Sequence, residues 1–342
     1  MTERTNRRWI LAERPKGEPN EGTLRMEEGE VSSPGEGQVL LRNLYLSLDP
    51  YMRGRMSDAE SYADPVAIGD VMVGGTVARV EESKHEGFKE GDLVLAYGGW
   101  QDYALSDGAG LQKLEGLERP SWALGVLGMP GFTAWSGLTQ IGRPQAGETI
   151  AVAAATGPVG ATVGQIGKIL GCRVVGIAGG PEKCAHATDD LGFDACVDHK
   201  AEGMPARLRE ACLDGIDVYF ENVGGAVLQA VLPLLNTGAR IPLCGLVSQY
   251  NAKGLPEGPD RSGQLMGRFL ARRVTLRGFI VFEDFAPLYP EFARQMSDWI
   301  EAGRIQYRED VVEGLENAPA AFAGLLRGEN FGKRVIRVAP EA

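Results

Sequence analysis

The sequence predicts an α/β chain in two parts: a doubly wound parallel sheet domain and a separate β-rich domain. Three observations carry this. From about residue 149 to 281, apolar strand-like runs alternate with helical stretches, as in a parallel sheet covered on both faces. The first of those runs ends in a glycine-bearing turn that opens a helix. Residues 1 to about 123 instead read as short runs broken by Gly and Pro, the mark of an irregular β domain.

In order along the chain, "GQVLLRNLYLSL", "GGTVARVEE" and "GDLVLAYGGWQDYALS" supply the first domain's strands. "ETIAVAAA" is the first apolar strand of the second part, and Val159, Val163, Ile166 and Leu170 then fall on one helical face. "RVVGIA" is the next strand. A helix follows from Pro181 to about Leu191, with proline in its first turn and Gly192 as its stop. "ACVDH", "IDVYFENV", "ARIPLCG" and "VTLRGFIV" complete six strands, and "APLYPEFARQMSDWIEAG" is a long amphipathic helix. The tail from about Ile305 returns to short mixed elements and most simply rejoins the first domain. The expected domains are therefore 1–123 with 305–342, and 124–304.

The formal net charge is −11, which argues against nucleic acid or an anionic membrane surface as partner. No apolar run approaches the roughly 20 residues of a membrane span, and the basic start "MTERTNRRWI" has no apolar segment behind it. Five scattered cysteines (Cys172, Cys184, Cys196, Cys212, Cys244) with no C-x-x-C pair fit reduced thiols in a cytoplasmic protein, most of them small core residues.

The turn reads Ala154-Ala155-Thr156-Gly157-Pro158-Val159-Gly160. Set on G-x-G-x-x-G, Ala154 takes the first glycine's place. Gly157 lets the backbone approach a pyrophosphate, and Gly160 lets the helix lie close on the strand. The helix N-terminus presents N–H groups and a positive dipole end. A plain packing turn is the alternative. The next strand decides against it. Where an NAD site has Asp or Glu for the ribose 2′-hydroxyl, this chain has Ala178-Gly179-Gly180, with Lys183 three residues on. Space, a cation and a helix start suit the 2′-phosphate of NADP. Taken alone, Lys183 reads more readily as a solvated surface lysine, and His199, Lys200 and Arg173 can add charge there or simply lie on the surface. Glu221 and Asn222 end the fourth strand, where Asn222 can bind the cofactor or serve as a turn residue. Cys244 to Tyr250 leave the fifth strand, toward the nicotinamide half, and Phe279, Ile280 and Val281 end the sixth.

The stretches "NLYLSLDPYMRGRM", "LGMPGFTAW", "GPVGATVGQIGK", "YFENVGG", "CGLVSQYN" and "ENFGKRVIRV" make nearly the whole chain resemble the zinc-independent prostaglandin reductase and alkenal/enone double-bond reductase family of medium-chain dehydrogenase/reductases, bacterial curcumin reductases included. The resemblance implies a GroES-like β-rich domain, discontinuous in sequence, with a Rossmann domain inserted. It implies NADPH (NADP) as cofactor, an enone or enal as substrate, and a homodimer. It also implies roles. Gly157, Pro158, Val159 and Gly160 would cradle the pyrophosphate, and Lys183 would hold the 2′-phosphate. Asn222, Cys244, Gly245, Leu246, Val247, Ser248, Gln249, Tyr250, Phe279, Ile280, Val281 and Asn330 would contact the cofactor. Met129 and Thr133 would sit near the nicotinamide, and Tyr51 and Tyr250 would face the substrate as catalytic residues. His199 stands where the family commonly has a tyrosine that helps hold the 2′-phosphate. A histidine can replace that hydrogen bond and add charge at lower pH.

Zinc-dependent relatives draw Cys, His and a G-H-E stretch from the first domain. Here that domain has no cysteine, His85 is its sole histidine, and "IGDVMVGGTV" replaces the G-H-E stretch, so no metal is expected. The expected chemistry is hydride addition to the β-carbon of a conjugated alkene, with donors stabilising the enolate oxygen. The Tyr250 hydroxyl and the nicotinamide ribose hydroxyl are the candidates, although Tyr250 also reads as a packing residue of its loop. A quinone reductase on the same fold and a non-catalytic NADPH-binding protein are the alternatives. The loops Asp58 to Pro65 and Asn251 to Gly263 would shape the substrate pocket.

Overall fold

A computed structural model describes residues 4–254 and 258–341, so residues 255–257 of the predicted pocket loop lie outside the described residues. The chain divides into two units, 1–124 with 309–342, and 125–308.

In the second unit six strands form one parallel sheet: β1 (Thr149–Ala153), β2 (Arg173–Ala178), β3 (Ala195–Asp198), β4 (Ile216–Phe220), β5 (Leu235–Leu243) and β6 (Thr275–Gly278). Their order is β3-β2-β1-β4-β5-β6, the Rossmann order, so the strand order reverses between β1 and β4 and a ligand crevice lies at their carboxyl ends. The central strands β1, β2 and β4 are almost wholly buried, as their unbroken apolar runs require.

Helix α1 (Pro158–Ile169) lies on this sheet through a face different from the one its apolar residues mark. Val163 and Ile166 are fully buried, but Leu170 is 37% exposed at the C-cap and Val159 is only half-buried. The close face is made of glycines at i, i+4 and i+7. A β-carbon added at Gly160 would lie 2.2 Å from the Ala154 carbonyl oxygen, one at Gly164 1.9 Å from the Phe193 ring, and one at Gly167 2.8 Å from Ile150. The helix after β2 begins at Pro181 as expected; α2 (Pro181–Ala185) continues as a wider π-helical turn through His186–Asp190 and stops before Gly192, whose φ is +72°.

The first unit has a sheet in the order Glu309–Glu313, Lys333–Arg337, Val39–Ser47, Thr76–Ser83, Leu93–Ala96 and Gln112–Lys113, with Tyr103–Ser106 also paired to Val39–Ser47. Thr5–Leu11 and Leu24–Glu30 form a separate antiparallel pair. The chain's last strand, Lys333–Arg337, runs between Glu309–Glu313 and Val39–Ser47, so the tail completes this unit's sheet. Trp100 and Phe322, both fully buried, meet edge to face at 5.6 Å in its core.

Candidate functional site

The turn after β1 is built for close backbone approach. Ala154, at the first glycine's position, has φ +53°, a left-handed conformation that costs a non-glycine residue roughly 1–2 kcal/mol. Its carbonyl accepts from Gly157 N–H at 2.9 Å, and Ala155 N–H donates to the Ile177 carbonyl at 3.0 Å, which pins the turn to β2. Gly160 is required by packing. Gly157 is different: its φ is −76°, and an added β-carbon would have only the Ala154 oxygen nearby, at 3.3 Å. A side chain there would crowd only that carbonyl, so packing constrains Gly157 far less than Gly160. What the missing side chain preserves is open backbone at the start of α1, where no side chain caps the helix. These residues fit a pyrophosphate.

The end of β2 gathers cations. A β-carbon added at Gly179 would lie 2.9 Å from His199 Nε2 and 3.0 Å from Lys200 Cε, so both side chains fold over that glycine. Gly180, with φ +100°, leads into α2 and Lys183. The nearby acid, Asp198, accepts the amide N–H groups of Gly180 at 2.8 Å and Lys200 at 2.9 Å, and these bonds hold its pKa below the usual carboxylate value. Partial burial, with the charges of Lys200 and Lys183 alongside, outweighs Asp198 and lowers the pKa of His199. A site that disfavours its own positive charges in this way gains when a dianion arrives. Arg173, at the opposite, amino end of β2, bonds the Ala211 carbonyl and has no part here.

At the crevice, Asn222 Nδ2 donates to the Ala153 carbonyl at 2.8 Å, tying the carboxyl ends of β1 and β4 together at the switch point. Asn222 is thus a turn-fixing residue, and its side-chain oxygen is the part that can serve a ligand. The loop from Cys244 to Tyr250 hangs on the preceding turn: Cys244 and Gly245 N–H bond the Glu221 carbonyl, Val247 N–H the Asn222 carbonyl, and Ser248 N–H and Oγ the Val223 carbonyl. Burial pushes the Cys244 thiol up to about 12, which makes it a packing group. Tyr250 folds back over its own loop. Its hydroxyl oxygen accepts Leu246 N–H at 3.4 Å and lies 3.1 Å from where a Gly245 β-carbon would be, so a side chain at 245 would crowd it. Leu246, Ser248 and Gln249 are exposed.

Phe279 and Val281 are each 7% exposed, and Phe279 packs on Phe220 and Phe285, so what these residues can offer a ligand is main chain. Ile280 is half-buried, with its N–H on Asp284. Met129 opens the helix Met129–Ser136, and its carbonyl accepts Thr133 Oγ1 at 2.8 Å.

Two predicted residues belong to the first unit. Tyr51 caps the short helix Met52–Arg55, and burial together with the Asp49 charge raises its pKa. Asn330 Nδ2 donates to the Gly332 carbonyl at 2.8 Å. The same unit contains a group that the motif reading missed, the buried pair Lys333–Asp49 at 2.6 Å.

Residues 7–114 match a family model described as the N-terminal domain of oxidoreductase, and residues 158–302 one described as zinc-binding dehydrogenase. The chain is 62% identical to the NADPH-dependent curcumin reductase of Escherichia coli (strain K12), over 98% of this chain and 97% of that protein. It is 41% identical to the 2-alkenal reductase (NADP(+)-dependent) of Nicotiana tabacum, over 98% of each. The crystal structure of CurA from Vibrio vulnificus in complex with NADPH superposes with a TM-score of 0.95 at 58% identity, covering 98% of this chain and 99% of that one. The zinc in the second model's description does not fit the residues present. Among the described residues no group of three or more His, Cys, Asp or Glu is placed to hold a metal ion. The first unit has no cysteine, and its one histidine, His85, uses Nδ1 to accept Gly87 N–H. With both halves matched and the relatives aligned nearly end to end, the chain belongs to the medium-chain dehydrogenase/reductases and, among them, to the prostaglandin reductase and alkenal reductase family.

Proposed function

We propose that this protein uses NADPH to reduce the C=C bond of α,β-unsaturated ketones and aldehydes, leaving the carbonyl in place. The observation that carries it is the basic end of β2, where His199 and Lys200 fold over Gly179 beside Lys183, in a chain 62% identical to an NADPH-dependent curcumin reductase. The second unit holds the cofactor: Gly157 to Gly160 take the pyrophosphate, and Lys183, His199 and Lys200 the 2′-phosphate. Asn222, the 244–250 loop, the main chain of 279–281, Met129 and Thr133 complete this unit's site, and Asn330 is the cofactor residue assigned to the first unit. Bound there, NADPH supplies the hydride. Tyr250 donates a hydrogen bond to the carbonyl oxygen as negative charge develops on it, and water or a tyrosine then protonates the α-carbon of the enolate to give the saturated carbonyl compound. Tyr51 is the substrate-facing residue of the first unit. Its raised pKa keeps it a neutral hydrogen-bond donor at neutral pH. The reaction needs no bound metal, in keeping with the donor set.

Product analysis with NADPH deuterated at the transferring position tests the reading. Deuterium is expected on the β-carbon of a saturated ketone. Deuterium on a carbinol carbon, turnover confined to quinones, or NADPH binding without any turnover would each overturn it.

Lys183→Ala is expected to raise the KM for NADPH about tenfold and leave NADH kinetics unchanged. A charge-assisted phosphate contact is worth roughly 1.5–3 kcal/mol, and sharing with His199 and Lys200 puts the loss at the lower end. Because a bound dianion favours the imidazolium form of His199, NADPH affinity should also strengthen as pH falls toward the lowered pKa of that imidazole. Equal losses with both cofactors would remove the phosphate assignment.

The partner of the folded chain is a second copy of itself. Edge strand β6 is exposed along its whole length, and Leu276, Met266 and Leu270 beside it are 42%, 62% and 82% exposed. An open strand edge flanked by apolar side chains invites pairing with its own copy. Leu270→Glu with Leu276→Glu should shift sedimentation from dimer to monomer; an unaltered dimer would place the interface elsewhere. Five free thiols and an NADPH requirement favour the cytoplasm.

A further inference from the structure

We propose that Glu221 is a neutral carboxylic acid that positions the Tyr250 loop, a role that rests on the reading of Tyr250 given above. Glu221 sits at the carboxyl end of β4 with 1% of its surface exposed. Its two oxygens are treated unequally. Oε1 accepts three donors: the Tyr219 hydroxyl at 3.0 Å, Val223 N–H at 2.7 Å and Gly224 N–H at 2.8 Å. Oε2 is buried and has no hydrogen-bond partner. An ionised carboxylate spreads its charge over both oxygens, and a buried, undonated carboxylate oxygen is costly. Protonation removes the charge from the orphaned oxygen: Oε1 is the carbonyl that takes the three donors, and Oε2 becomes a neutral hydroxyl, whose burial without a partner costs less than that of a charged oxygen. Burial raises the carboxyl pKa in the same sense.

The clamp matters through what hangs on it. The turn it holds passes through Gly224 and Gly225 at φ +74° and +56°, conformations that the two bonds to Oε1 lock in place. The carbonyls of Glu221, Asn222 and Val223 then accept five bonds from residues 244–248, and these fix the approach to Tyr250. Glu221 is a positioning residue, acting on Tyr250 through the turn and the loop.

The experiment compares Glu221→Gln, Glu221→Asp and Glu221→Leu in the full chain. Glutamine reproduces the neutral acid, with its amide oxygen in place of Oε1 and its NH2 in place of the Oε2 hydroxyl. It should keep kcat within about twofold of the parent. Asp withdraws the acceptor and Leu deletes it; each should lower kcat roughly 10- to 100-fold and weaken NADPH binding by less, since the same loop lines the cofactor site. In either background Tyr250→Phe should cost little more. Amide hydrogen exchange over residues 244–250 should speed up in Asp and Leu but not in Gln. The infrared carbonyl band of a protonated carboxylic acid should be present in the parent and lost in Gln. A Gln variant as impaired as Leu would show that the ionised form is needed. Unaltered exchange in Asp would show that the clamp does not hold the loop, and losses that add to that of Tyr250→Phe would make the two residues independent. Exchange and infrared spectra need no turnover, so they test Glu221 even if the enone reading itself fails.

Discussion

Replacing Lys333 by methionine is expected to cost about 3–5 kcal/mol of folding stability. Lys333 is 1% exposed, and its ammonium donates to the Asp49 carboxylate at 2.6 Å and to the Leu48 carbonyl at 2.9 Å. Ser47 Oγ donates to the other Asp49 oxygen, and Asp49 itself is 6% exposed. Methionine keeps most of the volume and the flexible stem, so packing changes little. What changes is that a buried carboxylate loses its one ion-pair partner among the described residues. The desolvation of Asp49 is then uncompensated, which is why breaking such a pair costs far more than the pair is worth against an apolar replacement of both partners. Thermal unfolding should move down by roughly 10 °C. Lys333→Met combined with Asp49→Asn should recover part of the loss, since it removes the stranded charge. A single-variant loss under about 1 kcal/mol, the range of a surface ion pair, would mean that the charge is relieved some other way. The pair also holds the last strand against the turn that leads into Tyr51, so substrate KM should rise in step with the loss of stability.

That pair marks where sequence reading stops. Lys333 and Asp49 are 284 residues apart, and each lies in a stretch singled out for other reasons, "ENFGKRVIRV" and "DPYMR". A lysine at the start of a strand reads as solvated, and nothing local reveals a carboxylate from the other end of the chain. Features set by neighbours in sequence were legible. The six parallel strands, the helix start at Pro181 with its stop at Gly192, and the missing acid after β2 all follow from local periodicity and residue type. The buried face of α1 was misread for a physical reason. Hydrophobic periodicity weights Val159 and Leu170, whereas close helix–sheet packing selects the smallest residues, so the face is Gly160, Gly164 and Gly167. The strand-end residues Phe279 and Val281 were likewise placed by position alone, which gives their location on the sheet but not the inward turn of their side chains. Glu221 was seen as a strand end; its three donors come from the turn that follows, and the sequence does not show that turn's shape.

Tyr250→Phe is expected to lower kcat for enone reduction by roughly 100-fold, with little effect on NADPH affinity. Removing one donor from a well-formed oxyanion site costs about 10²–10³ in kcat, and a second donor on the nicotinamide ribose puts this case at the lower end. The substitution is clean because the ring's position does not depend on the hydroxyl alone. In the loop the hydroxyl oxygen accepts Leu246 N–H at 3.4 Å, and it is this oxygen that lies over Gly245. Phenylalanine keeps the ring and loses the hydroxyl proton that stabilises charge on the substrate oxygen. The charge exists only as hydride arrives, so the loss should appear in kcat and in single-turnover hydride transfer, and not in the dissociation constant of NADPH. The deuterium label should still reach the β-carbon in the slow variant, since the site's geometry is retained. A variant with full kcat would assign the oxyanion to other donors. A variant whose NADPH affinity falls as far as its kcat would make Tyr250 a binding residue of the loop instead.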